Sequence, residues 1–310
     1  MVDNLANFPA DPAMVAVSIA YNNPSYIADR VLPRITVSKQ AFKHKVFAVE
    51  NTFRVPANEI GRLAEPEVVN IGHTEVTATT IGYGYDAIIP QEDIENQGPG
   101  DDTVGDHQML LIDANRRARE KRVADMVMAA GAYASGFKTQ LSGTSQWSDK
   151  TNSNPVSDIQ TGLLAAVMRP NVMVVGAEVW SALSTHPKVL QGVTAQAVSG
   201  GVASLSAVAA MFGLQEILVG EARLNTAKYG QSATLARCWG KHALLFYRAP
   251  VTNRAALTFG YTAQWGTPIS GMMPEPKMGA KGATRVREAE YLKELITAPM
   301  AAYFVQDAVA

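Results

Sequence analysis

The sequence contains one cysteine, Cys238, in 310 residues. An intrachain disulfide framework and a cysteine-rich zinc site are therefore excluded, and a reducing compartment fits. No apolar run approaches the ~20 residues that span a bilayer, and Met1-Val2-Asp3-Asn4 shows neither the basic region nor the apolar core of a signal peptide. The expectation is a soluble cytoplasmic protein with no membrane partner. Excess charge of either sign is also missing: 27 Lys and Arg face 28 Asp and Glu, a formal net charge of -1. A globally basic nucleic-acid binder is excluded, so any contact with DNA must be local and weak.

Catalytic signatures are absent too. There is no G-x-S-x-G, no P-loop and no H-E-x-x-H, and His44, His73, His107, His186 and His242 are scattered without an H-x-x-x-H pair. Gly82-Tyr83-Gly84-Tyr85-Asp86-Ala87 has the form G-x-G-x-x-A, but Ile88-Ile89-Pro90 follow where a dinucleotide site needs a helix. Those glycines read as bends or bulges in a strand. Asp102, Asp106 and His107 could share a metal at a helix start, although capping and dipole placement explain the carboxylates at lower cost. Cys238 lies beside Trp239 in an apolar stretch and reads as packed, not nucleophilic. No catalytic residue, cofactor site or metal site is expected.

What the chain does contain is enough apolar material for a large core. It is 47% hydrophobic and 18% charged, which at this length suggests one large or two intimately joined domains. Up to about Pro33, turn signals at Pro9, Asp11-Pro12 and Asn22-Asn23-Pro24 surround the short apolar stretch Met14 to Ala20, so this part reads as an arm with one short helix. Residues Ile35 to Phe53 and Val68 to Ile81 are rich in Val, Thr, Ile and Phe and predict a long hairpin. Neither parity of Val68 to Thr79 is cleanly apolar. Such a ribbon is either an exposed edge hairpin or an arm stabilised on another molecule.

Gly98-Pro99-Gly100 and Asp101-Asp102-Thr103 then open a stretch that predicts one long helix, to about Tyr133, with an apolar stripe of Leu111, Ala114, Ala118, Val123, Met126, Val127 and Ala130. In its middle lie Arg116, Arg117, Arg119, Lys121 and Arg122, the densest basic cluster. It reads either as a solvated face or as a surface meeting packaged DNA or a partner's carboxylates.

Beyond the polar loop from Ser142 to Pro155, helix and strand signals alternate. Helices are predicted at Asp158 to Met168, Ala177 to Ser184 and Val202 to Phe212, with a small, polar loop at Gln191 to Gly201. Strands are predicted at Val172 to Val175, Glu216 to Val219, Ala236 to Trp239, Ala243 to Tyr247 and Thr258 to Trp265, and two more between Thr284 and Val305, broken at Pro299.

Three phrases are informative together: Ile89-Pro90-Gln91-Glu92-Asp93-Ile94 ahead of the long helix, Asn171 to Trp180 with Leu183 and His186-Pro187, and Trp239-Gly240 followed by Leu244 to Tyr247. In this order of elements the chain resembles, along nearly its whole length, the major capsid proteins of tailed phages with the Hong Kong 97-like fold. The resemblance implies an α+β subunit. It divides into an N-terminal arm (1–37), an extended β-hairpin loop (38–85), a peripheral domain (86–155 and 268–310) built on a spine helix at about 103–133, and an axial domain (156–267).

It also implies that Lys43, Lys45, Phe53, Arg54, Arg62, Glu65 and Glu67 on the extended loop meet a neighbouring subunit. Gln191, Thr194, Gln196 and Ser199, with Tyr229 to Ser232, would then approach the symmetry axes. The implied partners are other copies, in hexamers and pentamers of an icosahedral head, along with portal, scaffold and decoration proteins and double-stranded DNA held by weak non-specific contact. An encapsulin-type compartment with the same fold and a cytoplasmic metal-dependent hydrolase remain as alternatives.

Overall fold

The computed structural model describes residues 8–47, 59–60, 62, 65, 73–194, 200–228, 230–250 and 257–310. The N-terminal segment forms α1 (Pro12–Ala20), capped by Asp11, whose carboxylate accepts from the Ala13 amide at 2.8 Å. A short turn, α2 (Ala28–Val31), and strand β1 (Arg34–Val37) follow. Next come the ribbon strands β2 (Ala41–Phe47) and β3 (His73–Thr79), then β4 (Ile81–Pro90) and the short helix α3 (Gln91–Glu95).

The long helix is α4 (Thr103–Val127), 25 residues or about 38 Å at 1.5 Å each. Asp102 caps it by accepting from the Gly105 amide at 2.9 Å. It ends at Val127, short of the predicted Tyr133 by nearly two turns. The Tyr133 hydroxyl donates to the Val127 carbonyl at 2.7 Å while its ring stacks on Phe304 and Phe259, so a buried aromatic takes over a terminal carbonyl and turns the chain away.

The remaining elements are β5 (Lys138–Gln140), α5 (Pro155–Ala165), β6 (Val172–Gly176), α6 (Ala177–Ser184), α7 (Pro187–Thr194), α8 (Leu205–Phe212), β7 (Glu216–Gly220), β8 (Arg223–Asn225), β9 (Leu235–Arg237), β10 (Ala243–Phe246), β11 (Gly260–Glu275), β12 (Ala283–Ile296) and β13 (Ala302–Gln306). They build two main sheets. One has the order β1-β11-β12-β4, antiparallel except for the parallel pair β1 and β11. The other has the order β5-β13-β10-β6-β7, with β6 buried along its whole length. Strands β2 and β3 pair with each other, as do β8 and β9.

Several sequence expectations change here. The strand expected from Ile35 to Phe53 breaks at Ser38–Gln40, because β1 joins a main sheet whereas β2 starts the ribbon. The ribbon base has a core after all: Phe42 and Ala78 pack with Val37, Tyr261, Ala263 and Leu295. Strand β11 runs unbroken past residue 267, and β13 joins the five-stranded sheet, its Ala302 and Phe304 packed with Val123, Ala124 and Val127 of α4. Gln191 and Thr194 sit on α7, not in a loop, because Val189 and Leu190 bury one face of that turn in the core. Residues 195–199 and Tyr229 lie outside the described residues.

Candidate assembly surfaces and the buried face of the long helix

The face that α4 turns inward is polar. Gln108, Asn115, Arg119 and Glu120 are buried beside Ile112, Val123, Ala124 and Val127, whereas the expected stripe residues Leu111, Ala114 and Ala118 are only half-buried. Strand β12 meets the helix with alternate residues Val286, Glu288, Glu290 and Leu292, and glutamates occupy two of these buried positions.

The basic cluster is mostly spent inside the subunit. Arg119, 1% exposed, donates to Asp29, to the Thr262 hydroxyl at 3.0 Å and to the Leu32 carbonyl at 3.4 Å. Arg116 lies 3.8 Å from both Asp29 and Glu290, and donates to the Ser18 carbonyl at 3.1 Å. Arg122 donates to Glu294 at 3.1 Å and rests over the Tyr83 ring. Arg34 joins the same network, donating to Asp29 at 2.7 Å and to Glu290 at 2.6 Å. Neither a solvated face nor a DNA-facing surface describes Arg116, Arg119 or Arg122. Only Arg117 and Lys121 are exposed, each paired one turn away, with Asp113 and Asp125.

The same helix holds the N-terminal segment through carboxylates. Asp113 accepts from the hydroxyls of Tyr21 at 2.7 Å and Tyr26 at 3.0 Å. Burial opposes its charge, yet these hydroxyls and Arg117 hold its pKa below the ordinary carboxylate range. Asp29 is likewise opposed by burial and held low by Arg119 and Arg34. Glu120 and Glu288 go the other way, because desolvation pushes both carboxyls up despite their hydrogen bonds. Sequence reasoning missed Asp29, Arg34, Asp113, Glu120, Glu288 and Glu290. The one available signal was a pair of glutamates at apolar positions of an alternating strand.

Of the extended-loop residues, Lys43 is exposed and pairs with Glu75 at 3.2 Å, Lys45 sits opposite Glu75 in the ladder, and Arg62 and Glu65 are exposed. Phe53, Arg54 and Glu67 lie outside the described residues, as do Gln196 and Ser199. Gln191 is exposed on α7, and the Thr194 hydroxyl donates to the Leu190 carbonyl at 2.8 Å.

Asp102 caps the helix, His107 Nδ1 lies 2.7 Å from the Thr103 carbonyl, and no group of three His, Cys, Asp or Glu side chains among the described residues could hold an ion. Burial pushes the Cys238 thiol up to about 12, which disfavours the thiolate. Gly84 lies flat in strand β4, where a Cβ would stand 2.6 Å from the Glu288 carbonyl oxygen.

Residues 136–303 match the phage major capsid protein E family, and the whole chain is 39% identical over 311 residues to the major capsid protein of Pseudomonas phage JBD67, covering 98% of this chain and 99% of that one. The chain belongs to the phage major capsid protein E family. The capsid protein also shares its fold with solved structures. A phage-related protein from Bordetella bronchiseptica RB50 superposes with a TM-score of 0.76 at 22% identity, covering 96% of this chain and 97% of that one. A capsid chain of cyanophage P-SCSP1u gives 0.57 at 12% identity, covering 93% and 89%.

The capsid protein is thus a structural subunit of the virion, not an enzyme. The metal-dependent hydrolase alternative falls with that relationship. No helix among the described residues is long and apolar enough to cross a membrane.

Proposed function

We propose that the chain assembles as hexamers and pentamers into an icosahedral phage head around double-stranded DNA, with the arm, extended loop, peripheral and axial parts of a Hong Kong 97-like subunit. The observation that carries this reading is the ribbon β2–β3. Phe42 and Ala78 anchor it, His44 is buried and Phe47 packs beside Ala298 and Met300, while Thr74 to Thr77 on β3 are all exposed. Strand β3, exposed over four successive residues, would be covered by another copy. The loop bearing Lys43, Lys45, Phe53, Arg54, Arg62, Glu65 and Glu67 is the part proposed to overlie a neighbour. The segment with Gln191, Thr194, Gln196 and Ser199 would approach the symmetry axes.

Assembly would take place in the host cytoplasm, with portal, scaffold and decoration proteins as further partners. Contact with DNA by the long helix would fall to Arg117 and Lys121, since its other arginines are neutralised within the subunit. Electron microscopy of the purified protein tests the proposal directly, with closed shells or rings expected. Deleting Phe53 to Val68 should leave circular dichroism near native and abolish particles. A persistent monomer at high concentration from the parent chain would overturn the reading.

A further inference from the structure

Strand β4 is an outer strand of the four-stranded sheet, and it pairs with β12 in unbroken register from Ile81 opposite Leu292 to Pro90 opposite Ala283. Among the described residues no strand pairs with its other edge. Edges of this length are normally guarded by lysine, proline, a bulge or brevity, because a row of free amides and carbonyls recruits other chains. The opposite edge, β1, is guarded by brevity at four residues. Apart from Pro90 at its last position the strand carries no guard: Ile81 to Ile89 holds no lysine or proline, and its one charge, Asp86, is engaged by Arg285 and Arg287. Ile81, Tyr85 and Ile88 are instead 48%, 46% and 42% exposed.

We infer that this edge pairs, antiparallel and across a two-fold axis, with β4 of a second copy of the chain, joining two four-stranded sheets into one. The inference rests on the self-assembly proposed above and adds a specific contact to it.

Charge decides both occupant and direction. Just beyond the C-terminal end of β4, helix α3 presents the exposed Asp93 and the half-buried Glu92, while Glu95 is paired with Lys281. Just before the N-terminal end, Thr80 donates its amide to the Gln40 carbonyl at 3.0 Å, which brings the exposed Lys39 to that end of the sheet. Antiparallel self-pairing sets the acids of each copy against the lysine end of the other, twice. Parallel pairing would set acids against acids. An axis at Asp86 would oppose two like charges, whereas an axis at Tyr85 sets the two tyrosines side by side and each Asp86 opposite a glycine, Gly84.

The test uses assembled particles of the full chain. Opposed residues of an antiparallel pair lie about 4.5–5.5 Å apart at Cα, within disulfide range. Mildly oxidised particles of Tyr85→Cys should therefore run mostly as dimers, at about twice 33.2 kDa, on a non-reducing gel. Leu164→Cys, exposed on α5, should stay monomeric. As a second variant, Asp93→Lys should lose particles, and adding Lys39→Glu to the same chain should restore them. Particles of Tyr85→Cys that yield only monomer, or a folded charge-swapped chain that fails to regain assembly, would overturn the pairing and leave the capsid reading intact. A parent chain that never assembles would remove both.

Discussion

Trp239 donates its indole N–H to Glu120 Oε1 at 2.7 Å, so a buried carboxylate on the long helix grips the loop between β9 and β10. The same carboxylate accepts the backbone amides of Ile27 at 2.9 Å and Ala28 at 2.8 Å, at the start of α2. One side chain therefore ties together three parts of the chain more than 90 residues apart. Glu120→Ala strands three buried donors and should cost about 3 kcal/mol, read as a lower urea midpoint for the unassembled subunit.

The two kinds of arginine on α4 should separate cleanly. Arg119→Ala uncovers a carboxylate network and should destabilise by ~3–5 kcal/mol, whereas Arg117→Ala removes an exposed pair and should change stability by less than about 0.5 kcal/mol. Equal losses in a denaturation series would contradict the burial described above. Neutralising Arg116, Arg119 and Arg122 together should accordingly reduce soluble subunit, and not simply DNA retention.

Acid should loosen the N-terminal segment. Asp29 and Asp113 have folded pKa values below their unfolded ones, so their contribution is complete above the usual carboxylate range of about 4 and is lost as pH falls through the folded values. Glu288 has the opposite sign: its raised pKa gives stability at low pH that is lost as pH rises through the folded value. At pH 7, therefore, Asp29→Asn should destabilise, while Glu288→Gln, which keeps an acceptor for the Ser18 hydroxyl, should be neutral or stabilising. Chemical unfolding across a pH series checks both signs.

Gly271 should tolerate no side chain. A Cβ there would stand 2.1 Å from the Pro9 carbonyl oxygen, where the chain crosses β11 and the Asp11 amide donates to the Ser270 carbonyl. Gly271→Ala should lift this strap, seen as faster protease cleavage or amide exchange in residues 9–20 with the five-stranded sheet unaffected.

The shell should be held without covalent links between subunits. Gly266 to Ala310 contains no asparagine, and Asn115, on the buried face of α4, is only 3% exposed and out of reach of a neighbour's lysine. Denatured particles should give one band near 33.2 kDa. A ladder surviving detergent and heat would refute this and point to Lys43 or Lys45 as donors.

Local chemistry was enough to place many elements. Helix α6 was legible from its apolar spacing and the His186-Pro187 exit, β6 from four consecutive apolar residues, and the break between β12 and β13 from Pro299. Each depends on neighbours a few residues away, so the sequence by itself determined it. The buried face of α4 was not legible, because Arg119 and Glu120 are stable inside only when Asp29, Thr262, Trp239 and the α2 amides arrive from 90 or more residues away. The same holds for the helix end at Val127, which a buried Tyr133 sets. A polarity pattern reports the solvent a residue prefers when alone. Only the tertiary structure supplies the partners that reverse that preference, and only it leaves β4 at the rim of a sheet with one edge unpaired.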